Sequence, residues 1–77
     1  MTIQEIGRIL KERREFLQLR QEDLGELGAT TARTIHQIES GTGNPSLKTL
    51  EKLATVLGME LVFQVKKLMT DDDHRNR

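Results

Sequence analysis

The chain has 77 residues, the size of one small domain. Such a domain buries only about 60% of its unfolded surface, so support from a partner subunit is expected. Cysteine is absent, which argues against disulfides and thiolate zinc sites, and no apolar run approaches the roughly 20 residues that cross a bilayer. Both observations favour a cytoplasmic protein. The balance of 12 basic and 12 acidic residues argues against a protein that holds nucleic acid by bulk charge.

A first helix is predicted to begin at Thr2, because Thr2 and Glu5 fit the capping-box pattern, in which each side chain bonds a free backbone N–H. Apolar residues then recur at roughly helical spacing to about Gln18, and they are Ile3, Ile6, Leu10, Phe16 and Leu17. Between them lie the basic residues Arg8, Lys11, Arg13 and Arg14. We interpret this basic set in two ways, as an ordinary solvated helix face or as a stripe that faces phosphate groups.

Two short helices joined by a tight turn are predicted next. The second helix runs to Leu27, the turn covers residues 28–30, and Thr31 is a good N-cap for a third helix through Glu39. Two short helices with a glycine-containing turn between them are typical of a helix-turn-helix, whose second helix enters the major groove of DNA.

A fourth helix is predicted after the loop 41–45, which is rich in Gly, Asn and Pro. Ser46 caps this helix and Gly58 ends it. Its inward-facing residues are Leu47, Leu50, Leu53, Ala54 and Leu57. Residues 1–58 therefore form one domain of four helices.

From Met59 the apolar pattern changes to a period of two, which predicts a strand within residues 59–69. A lone strand leaves its backbone donors and acceptors unpaired, so we expect it to pair with the same strand of a second copy, antiparallel about a two-fold axis. The side chains expected to hold this homodimer together are Leu61, Val62, Phe63 and Val65. Residues 70–77 contain no apolar side chain and are predicted to be a disordered tail.

The exposed face of the third helix carries side chains that suit a DNA groove. Ile35 and Ile38 define its buried direction, and the opposite face carries Arg33, His36, Gln37 and Ser40. Arginine bonds guanine bidentately, glutamine bonds adenine, and the methyl group of Ala32 would meet that of a thymine. His36 has three open interpretations: it reads a base, it senses pH, or it is only solvated.

At these residues the chain resembles the lambda-repressor-like (XRE, Cro/C1) helix-turn-helix family. The resemblance covers about Ile6 to Gly58 and is carried by Gln21-Glu22-Asp23-Leu24, by Thr31 to Glu39 with Gly41, and by Asn44 to Leu50. With a strand directly after the fourth helix, the chain resembles in particular the HipB-like subgroup of this family. The resemblance implies a homodimeric repressor that binds a pseudo-palindromic double-stranded operator, and specifically an antitoxin that binds a HipA-like kinase toxin and represses its own operon.

The resemblance also implies roles for individual side chains. Gln21 would touch a phosphate and brace the recognition helix, while Ala32, Arg33 and Gln37 would read bases. The residues expected near the DNA backbone are Thr31, Thr42, Asn44 and Lys48, where contacts fix the register without carrying sequence information.

The chain departs from the family pattern around the turn. Arg20 stands where the family usually has a Thr or Ser cap, Ala29 where it usually has a turn glycine, and Thr30 where it usually has an apolar residue. We expect Gly28 to adopt the positive φ that the turn requires.

No residue set in the sequence is typical of catalysis, because there is no Ser-His-Asp or Cys-His arrangement and the carboxylates lie on exposed helix faces. The two histidines, His36 and His74, lack a second ligand at metal spacing. We therefore expect no enzyme, no metal and no cofactor. The alternative function is a protein-binding module that neutralises a kinase toxin, with DNA binding secondary or absent.

Overall fold

The computed structural model describes residues 1–66, and this part of the chain contains four helices and no β-strand. The helices are α1 (Ile3–Phe16), α2 (Gln21–Leu27), α3 (Ala32–Glu39) and α4 (Leu47–Val56). The predicted all-α domain of four helices is confirmed. None of these helices has both the length and the apolar character that crossing a membrane requires.

Hydrogen bonds at its first turn and the backbone conformation at its end fix the limits of α1. The Glu5 backbone N–H donates to Thr2 Oγ1 at 3.1 Å, and the Thr2 N–H donates to a Glu5 carboxylate oxygen at 2.6 Å, so the capping box forms as predicted. The helix ends at Phe16, short of the predicted end near Gln18. The reason is that Gln18 has a φ of 60°, which an α-helix cannot accommodate.

The C-terminal part of α1 corrects one expectation about the apolar face. The buried side of the helix runs through Gly7, Leu10 and Arg14, so Phe16 lies off that side and is 73% exposed. Leu17, just after the helix, is also exposed. The spacing of apolar residues was misleading here, because the buried face of α1 continues through Arg14, a charged residue that the pattern placed in solvent.

The hydrophobic core lies where α2, α3 and α4 meet the inner side of α1. Its buried members are Leu10, Leu24, Ile35, Ile38, Leu50, Leu53 and Leu57. Leu47, which was predicted to face inward, is exposed instead, because it begins α4 one turn before Leu50, the first core residue of that helix. Gly58 ends the α4 segment in the left-handed region, with a φ of 73°.

The segment after α4 corrects the strand prediction for a single chain. Residues 59–66 form no strand, because the hydrogen bonds of a strand need a second strand beside it. Met59 packs against the core, whereas the exposed apolar side chains beyond it are Leu61, Val62, Phe63 and Val65. Pairing of this segment across a homodimer stays a prediction. Residues 67–69 and the predicted tail, 70–77, lie outside the described part of the chain.

Candidate nucleic-acid interface

The turn between α2 and α3 has its positive φ one residue later than predicted. Gly28 has a φ of −93°, and Ala29 takes the left-handed conformation with a φ of 58°. Space favours a glycine at position 28, since a Cβ there would lie 2.6 Å from Cδ2 of Leu53, and that side chain would have to shift within the core. The Thr30 N–H closes the turn by donating to the Gly25 carbonyl at 2.7 Å.

Two glycines inside helices let the helices approach α3 closely. A Cβ on Gly25 of α2 would lie 2.9 Å from the carbonyl carbon of Thr31, at the start of α3. A Cβ on Gly7 of α1 would overlap the carbonyl oxygen of Ile38, near the end of α3. Neither glycine was predicted to matter for packing, although an isolated glycine within a helical pattern often marks a close helix contact.

Thr31 caps the N-terminus of α3. Its Oγ1 accepts from the backbone N–H of Thr34 at 3.1 Å, and its hydroxyl donates to Thr34 Oγ1 at the same distance. This cap begins the helix at Ala32, as the sequence indicated. The Thr31 side chain is exposed at that end of α3.

The exposed face of α3 carries the side chains expected to read bases. Ile35 and Ile38 are 1% and 2% exposed, so the opposite side of the helix faces solvent. Arg33 and His36 are exposed on that side, and Ala32 and Gln37 are half-buried beside them. The structure therefore brings these four side chains together on one accessible surface. In residues 1–66 the ion pairs involve arginines of α1 and of the α2 cap, and none of them uses Arg33.

The loop after α3 folds back against the last turn of the helix. The Gln37 carbonyl accepts from the backbone N–H groups of Thr42 and Gly43, both at 3.0 Å. The hydroxyls of Ser40 and Thr42 are 3.0 Å apart and add a further link. This loop presents exposed Thr42 next to the end of the reading face. Asn44, later in the loop, and Lys48, in the first turn of α4, are exposed as well.

A buried ion pair holds the C-terminal end of α3 against α1. The Arg14 guanidinium donates to both carboxylate oxygens of Glu39, at 2.6 and 2.9 Å, and to the Leu19 carbonyl at 2.7 Å. The side chains of Arg14 and Glu39 are only 9% and 3% exposed. The hydrogen bond to Glu39 raises the pKa of Arg14 above its ordinary value. Both carboxylate oxygens of Glu39 thus accept from the guanidinium in a bidentate pair.

Gln21 joins this pair from the start of α2. Its amide Nε2 donates to Glu39 Oε1 at 3.0 Å, so the first residue of α2 is tied to the last residue of α3. One N–H of that amide and its oxygen are left for other partners, which is compatible with the phosphate contact that the resemblance implies. That contact stays a prediction.

The basic set of α1 fits neither of its two interpretations as a whole. Arg8 pairs with Glu12 across 3.4 Å on the exposed side of the helix. Arg13 donates from Nε to the Leu57 carbonyl at 2.8 Å and lies 5.2 Å from the centre of the Phe16 ring. Arg14 is buried, so only part of the set is available to a ligand. Local sequence carries no sign of these contacts, because Leu57 and Glu39, the partners of Arg13 and Arg14, are distant along the chain.

The start of α2 lacks a side chain that accepts a backbone N–H as a hydroxyl cap does, and it keeps only the reciprocal bond of a capping box, from the N-cap N–H to an acid of the first turn. The Arg20 backbone N–H donates to the Asp23 carboxylate at 2.7 Å, and the Arg20 guanidinium donates to it at 3.0 and 3.1 Å. The Arg20 side chain, and then its backbone N–H, lower the pKa of Asp23 below its ordinary value of 3.8. Arg20 thus orients Asp23 at the start of α2, while its own side chain accepts no backbone N–H. In the described residues no three His, Cys, Asp or Glu side chains converge as a metal site would require.

Comparisons with known proteins agree with this geometry. The helix-turn-helix family matches residues 10–64 of the chain. The fold is similar to the restriction-modification controller protein C.AhdI from Aeromonas hydrophila, with 34% identity and a TM-score of 0.72 over 75% of this chain and 88% of that chain. No curated protein matches the sequence.

A second solved structure shares the fold but not the length. Hydroxypropylphosphonic acid epoxidase from S. wedmorenis is 30% identical with a TM-score of 0.70, over 77% of this chain and 31% of that enzyme. The match therefore concerns less than a third of the enzyme, and its activity is not carried over. With the braced α2 and α3, the family match and the controller protein in agreement, the chain belongs to the lambda-repressor-like helix-turn-helix family of DNA-binding transcriptional regulators.

Proposed function

We propose that the protein is a sequence-specific repressor that binds a pseudo-palindromic double-stranded operator as a homodimer. The observation that carries this proposal is the accessible polar face of α3, where Arg33, His36 and Gln37 lie opposite buried Ile35 and Ile38. A recognition helix that is fixed at both ends places its side chains in the groove with little loss of conformational entropy. Two copies would read half-sites about 34 Å apart, or a multiple of that distance.

The exposed side chains divide by chemistry into base readers and phosphate contacts. Arg33 suits the two acceptors of guanine, Gln37 the acceptor and donor of adenine, and the Ala32 methyl group a thymine methyl group. His36 extends the same face. The remaining candidates are short polar side chains and one lysine that suit phosphate oxygens: Gln21, Thr31, Thr42, Asn44 and Lys48.

Selection of bound duplexes from a random DNA pool tests this proposal, with the wild type and Arg33→Ala run in parallel. We expect a two-fold symmetric site whose preference relaxes at one base pair per half-site in Arg33→Ala, since one good bidentate contact discriminates by about 1–3 kcal/mol. Arg8→Ala is the matched control, because Arg8 is an exposed arginine of α1 that pairs with Glu12. Failure to enrich any site, or a site that Arg33→Ala leaves unchanged, would refute the assignment.

Such a repressor could control restriction-modification genes or a toxin–antitoxin operon, and the first of these roles has the more specific support. The similarity to a restriction-modification controller protein extends over 88% of that chain. We therefore infer that the protein controls transcription of genes encoded near its own. Restriction-modification genes beside the coding sequence, with an enriched operator upstream of them, would support this role.

The second role is that of a HipB-like antitoxin that autoregulates a toxin–antitoxin operon. Its support is the exposed apolar segment 61–65, which suits a protein partner as well as a second copy. A HipA-like kinase gene next to the coding sequence, and a stable complex on co-expression with its product, would favour it. If the antitoxin role involves no DNA binding, the chain is only a protein-binding module. In that case Arg33→Ala and Gln37→Ala should leave all function intact.

A further inference from the structure

The segment that follows α4 borders an apolar cavity that the single chain leaves open. The cavity has a volume of about 260 Å³ and lies between α1, α4 and this segment, with Ile6, Ile9, Leu50, Met59 and Leu61 among its lining residues. Further along the segment, Phe63 is 87% exposed and Val65 is fully exposed. Large apolar side chains exposed next to an apolar cavity mark an interaction surface.

The segment carries opposite charges at equal distances from Phe63. Glu60 lies three residues before Phe63 and Lys66 lies three residues after it, and both are exposed. In an antiparallel pair of identical strands centred on Phe63, Glu60 of each copy would lie directly opposite Lys66 of the other. The same pairing sets Leu61 opposite Val65, so the odd-numbered face is apolar throughout. Opposite charges and apolar pairs facing each other across strands are both favourable.

Symmetry leaves few other registers for such a ribbon. Directly opposite residues of antiparallel strands have their side chains on the same face of the ribbon. A two-fold axis perpendicular to the ribbon relates each residue to its copy on that same face. The axis must therefore pass between the two copies of one residue, not between two successive residues. An axis at Val62 would set Glu60 opposite Gln64 and lose the charge pair. An axis at Gln64 would set Val62 opposite Lys66. Among these three, only the axis at Phe63 pairs Glu60 with Lys66, and it leaves Val62 opposite Gln64 as its one pair of an apolar and a polar side chain.

We infer that a second copy of this chain covers the apolar cavity by pairing its 60–66 segment antiparallel with this one, in the register that places Phe63 on the two-fold axis. The inference rests on the homodimer proposed above and specifies its interface. A stable interface buries roughly 800 Å² per partner, more than a seven-residue ribbon supplies, so the lining of the cavity contributes to the same contact.

Single cysteines introduced into this cysteine-free chain test the register directly. The Cα atoms of a residue pair on the axis lie about 4.5–5.5 Å apart, within the range of a disulfide, whereas residues one position away meet their own copies only diagonally, at roughly 7–8 Å. We expect Phe63→Cys to form a cross-linked dimer under mild oxidation. Val62→Cys and Gln64→Cys should each stay uncross-linked alone and should cross-link to each other when mixed.

The mixed experiment also guards against a loss of affinity in Phe63→Cys, because it keeps Phe63 in both chains. Mass spectrometry of the cross-linked species identifies which chains are joined. Self-cross-linking of Val62→Cys or of Gln64→Cys in place of the mixed pair would overturn the register. A dimer in which none of these variants cross-links would overturn it too.

Charge reversal gives an independent measurement without cysteine. Glu60→Lys and Lys66→Glu should each weaken the dimer roughly tenfold, because each sets like charges opposite one another twice, and the double variant should restore the wild-type dissociation constant. Additive weakening in the double variant would contradict the pairing. Sedimentation of the wild type under the same conditions separates the two proposals: a monomer at tens of micromolar would refute the homodimer, whereas a dimer with the wrong cross-links would refute only the register.

Discussion

The Arg14 side chain lies where α1, the segment before α2 and the end of α3 meet. It bonds both oxygens of Glu39, which also accepts from Gln21, so one carboxylate links three helices. Every buried polar side-chain atom in the described residues has a hydrogen-bond partner. A paired charge of this kind fixes a geometry more than it adds stability, because desolvation offsets much of the attraction. We therefore assign Arg14 and Glu39 to the orientation of the recognition helix.

Arg14→Met is predicted to lower the free energy of unfolding by about 3–5 kcal/mol, because it leaves the Glu39 carboxylate buried without its cation. Urea denaturation measures the loss. The double variant Arg14→Met, Glu39→Met should recover most of it, since an apolar pair of similar volume avoids the uncompensated charge. Arg8→Met is the matched control at an exposed ion pair and should change little. If the double variant is as unstable as the sum of its single changes, the pairing is not the cause.

This network was beyond sequence reasoning for a physical reason. Arg14 continues the face of Leu10 at helical spacing, but a charged residue there is buried only if a partner meets it, and Glu39 is 25 residues away. Gln21 was named for bracing from the resemblance alone, whereas Glu39 was not named as a site residue. The positive φ values of Gln18 and Ala29 were missed similarly, because both residues adopt that conformation less readily than glycine.

The helices themselves were largely predictable, because each start has a local chemical signal. Thr2 with Glu5, Thr31 and Ser46 all accept a backbone N–H where the sequence placed a cap. The start of α2 lacked that signal, and there the cap is Asp23, held by Arg20. Local caps are readable from local sequence. The C-terminal strand that the alternating pattern predicts would take its hydrogen bonds from another chain, so the single chain does not form it in residues 59–66.

Removal of the Asp23 carboxylate tests the cap of α2. The folded protein lowers the pKa of Asp23 below 3.8, so its charge stabilises the fold above that value, and this contribution is lost as the pH falls through the lowered pKa. Asp23→Ala should be less stable than the wild type at neutral pH, and the difference should shrink toward pH 2. Thermal unfolding over this pH range measures both effects. Glu22→Ala removes an acid of the same turn that bonds only the Arg20 side chain, and an equal pH response in that variant would contradict the capping role.

The whole sequence is formally neutral. Arg33 on the exposed face of α3 nevertheless has no ion-pair partner within residues 1–66, and Lys48 is exposed nearby in the first turn of α4. Because affinity for DNA depends on the phosphates that are contacted locally, net charge does not limit it. A dimer doubles those contacts and aligns two copies of α3 along one side of the duplex. The two-fold symmetry of the proposed interface therefore sets the symmetry of the proposed operator, since each copy of the fold presents one α3 to the DNA.

The dependence of operator affinity on ionic strength measures the local phosphate contacts. We expect the logarithm of the association constant to fall linearly with the logarithm of salt concentration, with a slope of about −0.9 for each phosphate neutralised. Lys48→Ala should reduce the slope by about one per half-site and weaken binding evenly across sequences. Lys11→Ala, at an exposed lysine of α1, gives the comparison: an equal change of slope there would assign the exposed part of the basic set to phosphate contact as well. A flat salt response in the wild type would rule out this mode of binding.

The distance between half-sites decides whether the protein reads DNA as a two-fold symmetric dimer. Equilibrium binding is measured on the selected operator and on the same operator with five base pairs inserted at its centre, about half a helical turn, which moves the second half-site to the opposite side of the duplex. We expect a loss of affinity of at least roughly 100-fold, since one of the two recognition helices then loses its specific contacts. Equal affinity for the two duplexes would show that the protein does not read DNA as a two-fold symmetric dimer.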